Sequence, residues 1–293
     1  MFHRVLVAGI GALGSELVKN LGLLGCKSVF IADADIIEEK NMHRSLLMRD
    51  GIPGVSKAAH AIERLNNWFP HTEWDGASVE IADVETKQFL HADVIFSCVD
   101  TDLARAEIAV LAARYKLPVC DGGLGGTSTQ VGRISWFPAD QATACFGCLL
   151  NSKRRAEILS VWESNIHSCW ANGMPEQPTW TSTPTMTSMV AALQIETAAS
   201  AQKHSFSMQI DLDREPTMEN IQHRRSADCP FHDEVEGIAF PICTLAECRN
   251  CGQQFSPYKR IAWLRRWGSC PVCGGRDIAV RTSTIEELTG SAL

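Results

Sequence analysis

The sequence predicts an α/β chain. It should hold a mostly parallel sheet with helices on both faces, an antiparallel extension, and a small cysteine-rich module at the C-terminal end. Three observations lead there. Short apolar runs alternate with helical segments as far as Gly126, and a glycine-rich turn joins the first run to the first helix. Beyond Gly126 the alternation gives way to strand-like segments. Four late cysteines then stand in two Cys-x-x-Cys pairs.

Each element has its own local reason. Residues 4–8, RVLVA, are a short apolar run of the kind that fills a buried parallel strand. GIGALG follows, and then SELVKNLGLLG, an amphipathic helix closed by Gly25. SVFIAD is a second strand, SKAAHAIERLNNW a helix, and ADVIFSCVD a strand ending on Asp100. TDLARAEIAVLAARYK is a helix with Thr101 as its cap, and LPVCDGG is the next strand. STQVGRISWF alternates like an exposed antiparallel strand. Residues 150–184 are polar, Trp-bearing and Pro-punctuated, and read as a long mobile crossover connection. TMTSMVAALQIETAASA is a helix, and SFSMQIDLD and TMENIQHRR are a strand pair. The expected division is a domain over residues 1–235 and a module over 236–293.

Composition narrows the function. With 45% apolar and 21% charged residues the chain is an ordinary globular one, and a net charge of −7 argues against a general nucleic-acid coat. No apolar run is long enough for a membrane span. The N-terminus enters a strand at once and lacks the features of a signal peptide. Twelve cysteines without an export signal, several of them in Cys-x-x-Cys pairs, favour metal binding in a reducing cytoplasm over disulfides.

Gly9, Gly11 and Gly14 form G-x-G-x-x-G between a strand and a helix, a Rossmann-like phosphate turn at a helix N-terminus. Asp33 ends the second strand, where an acid accepts hydrogen bonds from ribose hydroxyls. An NAD-dependent dehydrogenase would share these features. The residues beyond Asp33 do not favour one. A second acid, Asp35, is succeeded by Asn41, Arg44 and Lys57, and two cations suit a triphosphate better than a pyrophosphate. Asp100 stands beside the crevice and is placed to hold Mg²⁺. Any one of these charges alone would pass for a solvated surface residue; their joint placement at strand ends weighs against that.

VLVAGIGALGSELVKNLGLLG, IADADIIEEKNMHR, GVSKA and SCVDTDLAR resemble, in order and spacing, the adenylation domain of ubiquitin-activating-like enzymes, including the bacterial ThiF/MoeB/HesA adenylyltransferases. The likeness runs from residue 4 to about 232, and D-x-D followed by N-x-x-R is its most diagnostic part. The resemblance implies that ATP is bound and that the C-terminal carboxylate of a ubiquitin-like or sulfur-carrier protein ending in Gly-Gly attacks its α-phosphate. Asp33 would then hold the ribose. Asn41, Arg44 and Lys57 would hold the phosphates, Asp100 the magnesium, and Arg105 would support that site. A peptide in natural-product modification is a third substrate class, and an inactive zinc-ribbon binding protein is the non-enzymatic alternative. Family members usually carry an arginine ahead of the first strand that reaches the partner subunit's ATP. Here only Met1, Phe2 and His3 precede Arg4. The expectation is that a related chain in a heterodimer supplies that arginine, or that a homodimer works without it.

Cys145 and Cys148 sit where the resemblance places a first metal pair, and Cys229 and His232 where it places the second, giving a Cys₃His zinc site. Cys248, Cys251, Cys270 and Cys273 have zinc-ribbon spacing, so two Zn²⁺ per chain are expected. Between Cys248 and Arg276 six basic residues and no acidic one are interleaved with Phe255, Tyr258, Trp263 and Trp267, which suits docking to an acidic protein first, then a solvated ribbon, with a small nucleic-acid reader as the remaining alternative. Cys26, Cys98, Cys120 and Cys243 lie in or near apolar runs and read as packing. Cys169 lies in the polar connection at the position of the family's crossover-loop cysteine. It is the expected thioester acceptor, with His167, Arg154 or Arg155 raising its thiolate fraction, before transfer to a conjugating enzyme; in the competing reading Cys169 is dispensable and the adenylate passes straight to a sulfur donor or another protein.

Overall fold

The computed structural model describes residues 2–125, 130–140, 142–164, 183–213, 216–232, 242–255, 272–273, 275 and 277–283. The first half alternates as expected, with one further strand, Glu73–Ala77, and two short helices, Glu39–Met42 and Thr86–Leu90, that the sequence reading did not include. Strands β1 (Arg4–Ala8), β2 (Ser28–Ala32), β3 (Glu73–Ala77), β4 (Val94–Ser97) and β5 (Val119–Leu124) are separated by helices. These helices are α1 (Ala12–Leu23), α2 (Glu39–Met42), α3 (Lys57–Trp68), α4 (Thr86–Leu90) and α5 (Asp102–Tyr115). After β5 come β6 (Val131–Phe137), α6 (Ser152–Ser164), α7 (Pro184–Ser200), β7 (Phe206–Asp211) and β8 (Thr217–Gln222). The described strands form one eight-stranded sheet in the order β3-β2-β1-β4-β5-β6-β7-β8. It is parallel from β3 to β5 and antiparallel from β5 to β8.

Strand β1 explains the apolar run. Val5 and Val7 join the core under α1, α3 and α7, while Leu6 and Ala8 join the core on the other face with α5. All four are fully buried, so neither face of the strand can take a polar residue. Each Val or Leu contributes about 1.5–3 kcal/mol by leaving water. The helices start where their caps sit. Ser56 accepts from Ala59 N, Thr101 from Ala104 N, and Thr183, just before Pro184, from Met186 N.

Four expectations are corrected. The fourth strand stops at Ser97, so Asp100 lies three residues beyond it, in the turn before α5. Helix α1 begins at Ala12, three residues earlier than its apolar pattern indicated. Strand β6 is not an exposed strand: Ile134, Ser135, Trp136 and Phe137 are buried, because α7 covers one face and the loops before α6 cover the end of the other. Residues 152–164 are helical rather than part of a loop. Asn151 Oδ1 accepts from Arg154 N at the start of this helix, and over residues 152–158 the buried side chains are Arg155 and Ile158, one of them a cation that does not read as apolar.

In the C-terminal module the described strands β9 (Ile242–Cys248), β10 (Gln254–Phe255) and β11 (Ile278–Ser283) form an antiparallel sheet in the order β10-β9-β11. Among the described residues no helix is long and apolar enough to cross a membrane.

Candidate functional site

Outward from β1, the sheet runs to β2 and β3 on one side and to β4 and β5 on the other. The connections therefore diverge between β1 and β4 and open a crevice at the carboxyl ends of these strands, where such sheets hold ligands. The glycine turn lies there. Gly9 has φ +88°, and a Cβ on it would come within 2.8 Å of the Cys98 carbonyl oxygen. A Cβ on Gly14 would lie 2.0 Å from the Gly9 carbonyl oxygen, so α1 can approach the turn only with glycine there. Nothing lies within 4 Å of the corresponding point on Gly11, which caps α1, so the helix N-terminus is open to an anion.

Asp33 closes this turn from β2. One carboxylate oxygen accepts from Ile10 N at 2.7 Å and the other from Asp35 N at 2.9 Å. A carboxylate has about four lone-pair sites, so these two bonds leave acceptor capacity for hydroxyls. Burial raises the pKa of Asp33, opposed by the Ile10 N–H and by Lys57. Lys57 opens α3 with its side chain only 10% exposed, and its Nζ lies 2.6 Å from Oδ2 of Asp35, which is 71% exposed. Its backbone N–H donates to the Asp35 carbonyl at 3.0 Å, which fixes the helix start against the strand end.

The segment after Asp35 folds back beside the turn. The hydroxyls of Ser15 and Ser45 are 2.6 Å apart, and Ser15 Oγ also donates to the Ile10 carbonyl. Arg44, next to Ser45, is thereby held near the first turn of α1, with its Nε on the Lys40 carbonyl at 3.2 Å. Asn41 spends its Oδ1 on Glu38 N, the reciprocal half of the cap on α2, which leaves its amide nitrogen for a ligand. Asp100 is exposed on the far side of the crevice and close enough to Arg105 to favour that residue's charge.

Two residues beside this cluster were missed by sequence reasoning. Asp121, on β5, is buried, and its Oδ1 takes Ser97 Oγ at 2.6 Å and Arg105 Nε at 3.0 Å. Burial opposes the charge on Arg105, but Asp121 outweighs it and raises its pKa. Arg133, on β6, reaches the other Asp121 oxygen at 3.5 Å. An acid inside the apolar strand LPVCDGG was the signal available for Asp121.

The four donor atoms of Cys145, Cys148, Cys229 and His232 lie within 4.8 Å of one another. Cys145 and Cys229 sulfurs are 3.7 Å apart, and tetrahedral zinc with Zn–S of ~2.3 Å asks for ~3.8 Å. Hydrogen bonds from Cys145 and Cys229, and then from His232, hold the Cys148 thiol well below its usual pKa, toward the thiolate form that binds metal. These residues fit zinc. In the tail, Cys248, Cys251 and Cys273 also lie within 4.8 Å of one another, and Cys270 falls outside the described residues.

Cys169 and His167 lie outside the described residues as well. Among the described residues Arg154 and Arg155 have these partners. Arg154 bonds Asp102 and Glu157 at 2.9 Å, and Arg155 is buried against Gly147 O, Ser226 and Asp228. Cys26 and Cys120 are buried as expected, and burial raises both thiols, as it does Cys98.

The sequence matches the ThiF family over residues 2–230. It is 30% identical to the Caenorhabditis elegans SUMO-activating enzyme subunit uba-2 over 148 residues, 50% of this chain and 25% of that protein. It is also 30% identical to the Kluyveromyces lactis adenylyltransferase and sulfurtransferase UBA4 over 145 residues, 49% of this chain and 32% of that one. The matched stretches thus span a quarter to a third of these relatives. The crystal structure of Escherichia coli MccB with ATP shares the fold. Its TM-score is 0.58 at 16% identity, covering 79% of this chain and 66% of MccB.

Proposed function

We propose that this chain, which belongs to the ThiF family, uses ATP to adenylate the C-terminal carboxylate of a ubiquitin-like protein. The reading is supported by what stands at the carboxyl ends of the parallel strands: an open helix N-terminus, Asp33 bonded to the glycine turn, the Lys57–Asp35 pair, Arg44 beside Ser45, and Asp100 in the turn before α5. Asp33 is the ribose acceptor. Arg44, Lys57 and the amide of Asn41 take the phosphates, with the first turn of α1 beneath them. Asp100 is the candidate magnesium ligand, and a bound Mg²⁺ would neutralise phosphate charge. The incoming carboxylate is ionised at neutral pH and needs no general base. It attacks the α-phosphorus, pyrophosphate leaves, and an acyl-adenylate remains. Fixed cations suit this step because negative charge accumulates on nonbridging oxygens in its transition state.

The similarity to the uba-2 subunit supports a ubiquitin-like substrate, and the equal identity to UBA4 supports a sulfur carrier as the second reading. Cys169 is the proposed acceptor of the acyl group in the first reading. The zinc sites are architectural, two per chain, and their thiolates suit a reducing compartment such as the cytoplasm. A second adenylation-fold chain, identical or related, is the proposed partner.

ATP–pyrophosphate exchange in the presence of a carrier protein tests the site. Asp100→Ala should abolish exchange. Arg44→Ala and Lys57→Ala should each cost about 10²-fold, as one transition-state contact of ~3 kcal/mol does. Normal exchange in all three variants would reject the assignment. In the same mixtures Cys169→Ala should keep exchange and lose a reductant-sensitive adduct; an adduct that persists removes Cys169 from the pathway.

A further inference from the structure

The Cys₃His corner is assembled from two distant stretches of chain, and one arginine grips both. Cys145 and Cys148 precede α6, while Cys229 and His232 follow β8. The two stretches touch: a Cβ on Gly147 would lie 2.0 Å from a Phe231 ring carbon and 2.9 Å from Cys229 Sγ. Arg155, in the first turn of α6, spans the seam with a side chain only 9% exposed. Its Nε donates to the Gly147 carbonyl at 2.9 Å, between the first two cysteines. Its Nη2 donates to Ser226 Oγ at 3.0 Å and its Nη1 lies 2.9 Å from Asp228 Oδ1, both just ahead of Cys229. Ser226 carries the contact on to a ligand, because its N–H donates to Cys148 Sγ at 3.3 Å, while its Oγ donates to Asp228.

Zinc on three thiolates and a neutral imidazole would carry one net negative charge in this buried corner. Arg155 does not simply cancel that charge, since it also pairs with Asp228, whose side chain is 73% exposed. What distinguishes it is geometry: a planar fork that meets acceptors from both ligand-bearing stretches at once. The same side chain fastens a helix. Over residues 152–158 the buried side chains are Arg155 and Ile158. The neighbouring Arg154 reaches Asp102 at 2.9 Å, which Arg105 also approaches at 3.9 Å. The Arg154–Asp102 pair is 25% and 32% exposed and therefore holds weakly. We propose that Arg155 is the positioning residue of the Cys₃His zinc site, so that metal loading there and docking of the start of α6 are one event. The loaded site fixes the two stretches against each other, and they then present Gly147 O, Ser226 Oγ and Asp228 Oδ1 in the spacing of one guanidinium. This goes beyond the adenylation reading and does not rest on it.

The test uses the full chain carrying Cys248→Ser, which takes a ligand from the tail cluster, so that the Cys₃His ion is followed by chelator competition. Arg155→Gln and Arg155→Lys should each weaken zinc binding about 10–100-fold, as loss of a group that orients metal ligands does. Lysine keeps the charge but has no fork to bridge the two stretches. In both zinc-loaded variants, amide hydrogen exchange over residues 152–158 should speed up while exchange over α1 stays at the wild-type rate. Stripping zinc from the Arg155 protein should speed exchange over 152–158 to the same level. Arg154→Gln should leave zinc affinity within about twofold. Unchanged zinc affinity in Arg155→Gln overturns the proposal, even if α6 exchanges faster, because Arg155 would then only pack. Full recovery in Arg155→Lys also overturns it, since charge alone would suffice. If Arg155→Gln does not fold, Arg155→Lys and the zinc-stripped Arg155 protein carry the same comparison.

Discussion

The crevice at the strand ends and the Cys₃His corner hold their side chains by opposite means. In the crevice, Arg44, Asp35 and Asp100 are exposed, and their positions come from the backbone: a glycine turn, strand ends and helix starts. In the corner, Cys145, Cys229 and His232 are buried with Phe146, Phe231 and Ile158, and their positions come from packing. Removing an exposed charge costs little stability, whereas removing one ligand of a buried cluster leaves the others without a partner. The crevice should therefore lose rate and keep its fold, and the corner should do the reverse.

The largest expected effect breaks the corner. Cys229→Ser should lose one of two zinc ions, read by elemental analysis, and lower the melting temperature of the whole main domain. The tail offers the contrast. Cys248→Ser should also lose one ion, but its cluster includes two exposed ligands, so the main transition should stay where it is and nucleotide binding should persist. If both variants melt alike, the two clusters are not different in kind.

A smaller effect sharpens the comparison on the polar side of β7. His223 Nε2 lies 2.7 Å from Ser207 Oγ. Burial lowers its pKa and Arg133 lowers it further. The folded protein thus takes up this proton at lower pH than the unfolded chain. The associated stability is complete above the unfolded value of about 6.5 and is lost as pH falls through the lower folded value. His223→Gln keeps a nitrogen near Ser207 but cannot titrate. Between pH 7.5 and 5 the wild type should lose melting temperature faster than the variant; parallel curves would show that the fold does not disfavour the charged form of His223.

Strands β1, β2 and β4 were legible because they are buried on both faces, so their apolar runs have no other use; the edge strand β3, with Glu73 and Asp75 exposed, has no such run and went unread. Gly9 and Gly14 were legible too, because their close contacts allow no side chain. Helix α6 was hidden because its buried face includes an arginine, Arg155, that finds its partners on residues 147, 226 and 228. Those contacts depend on sequence-distant loops and leave no periodic trace. Asp121 and Arg133 were hidden for a related reason. A lone acid in an apolar strand and a lone cation in an alternating one become a pair only when β5 and β6 align Gly123 with Arg133. The Cys₃His set was readable because metal ligands keep their spacing through the chain, here on a resemblance that put Cys229 and His232 opposite Cys145 and Cys148.

The central claim is carboxylate attack at the α-phosphorus, and isotope transfer tracks that bond directly. A carrier protein labelled with oxygen-18 in its C-terminal carboxylate is incubated with this chain, ATP and Mg²⁺, and a thiol is added to take the acyl group. Attack at the α-phosphorus makes a labelled oxygen the bridge between carbon and phosphorus. The thiol breaks the carbon–oxygen bond, and that oxygen leaves on AMP. The expected products are AMP carrying one oxygen-18 atom and unlabelled pyrophosphate. Labelled inorganic phosphate together with ADP, or AMP without the label, would contradict carboxylate attack at that phosphorus.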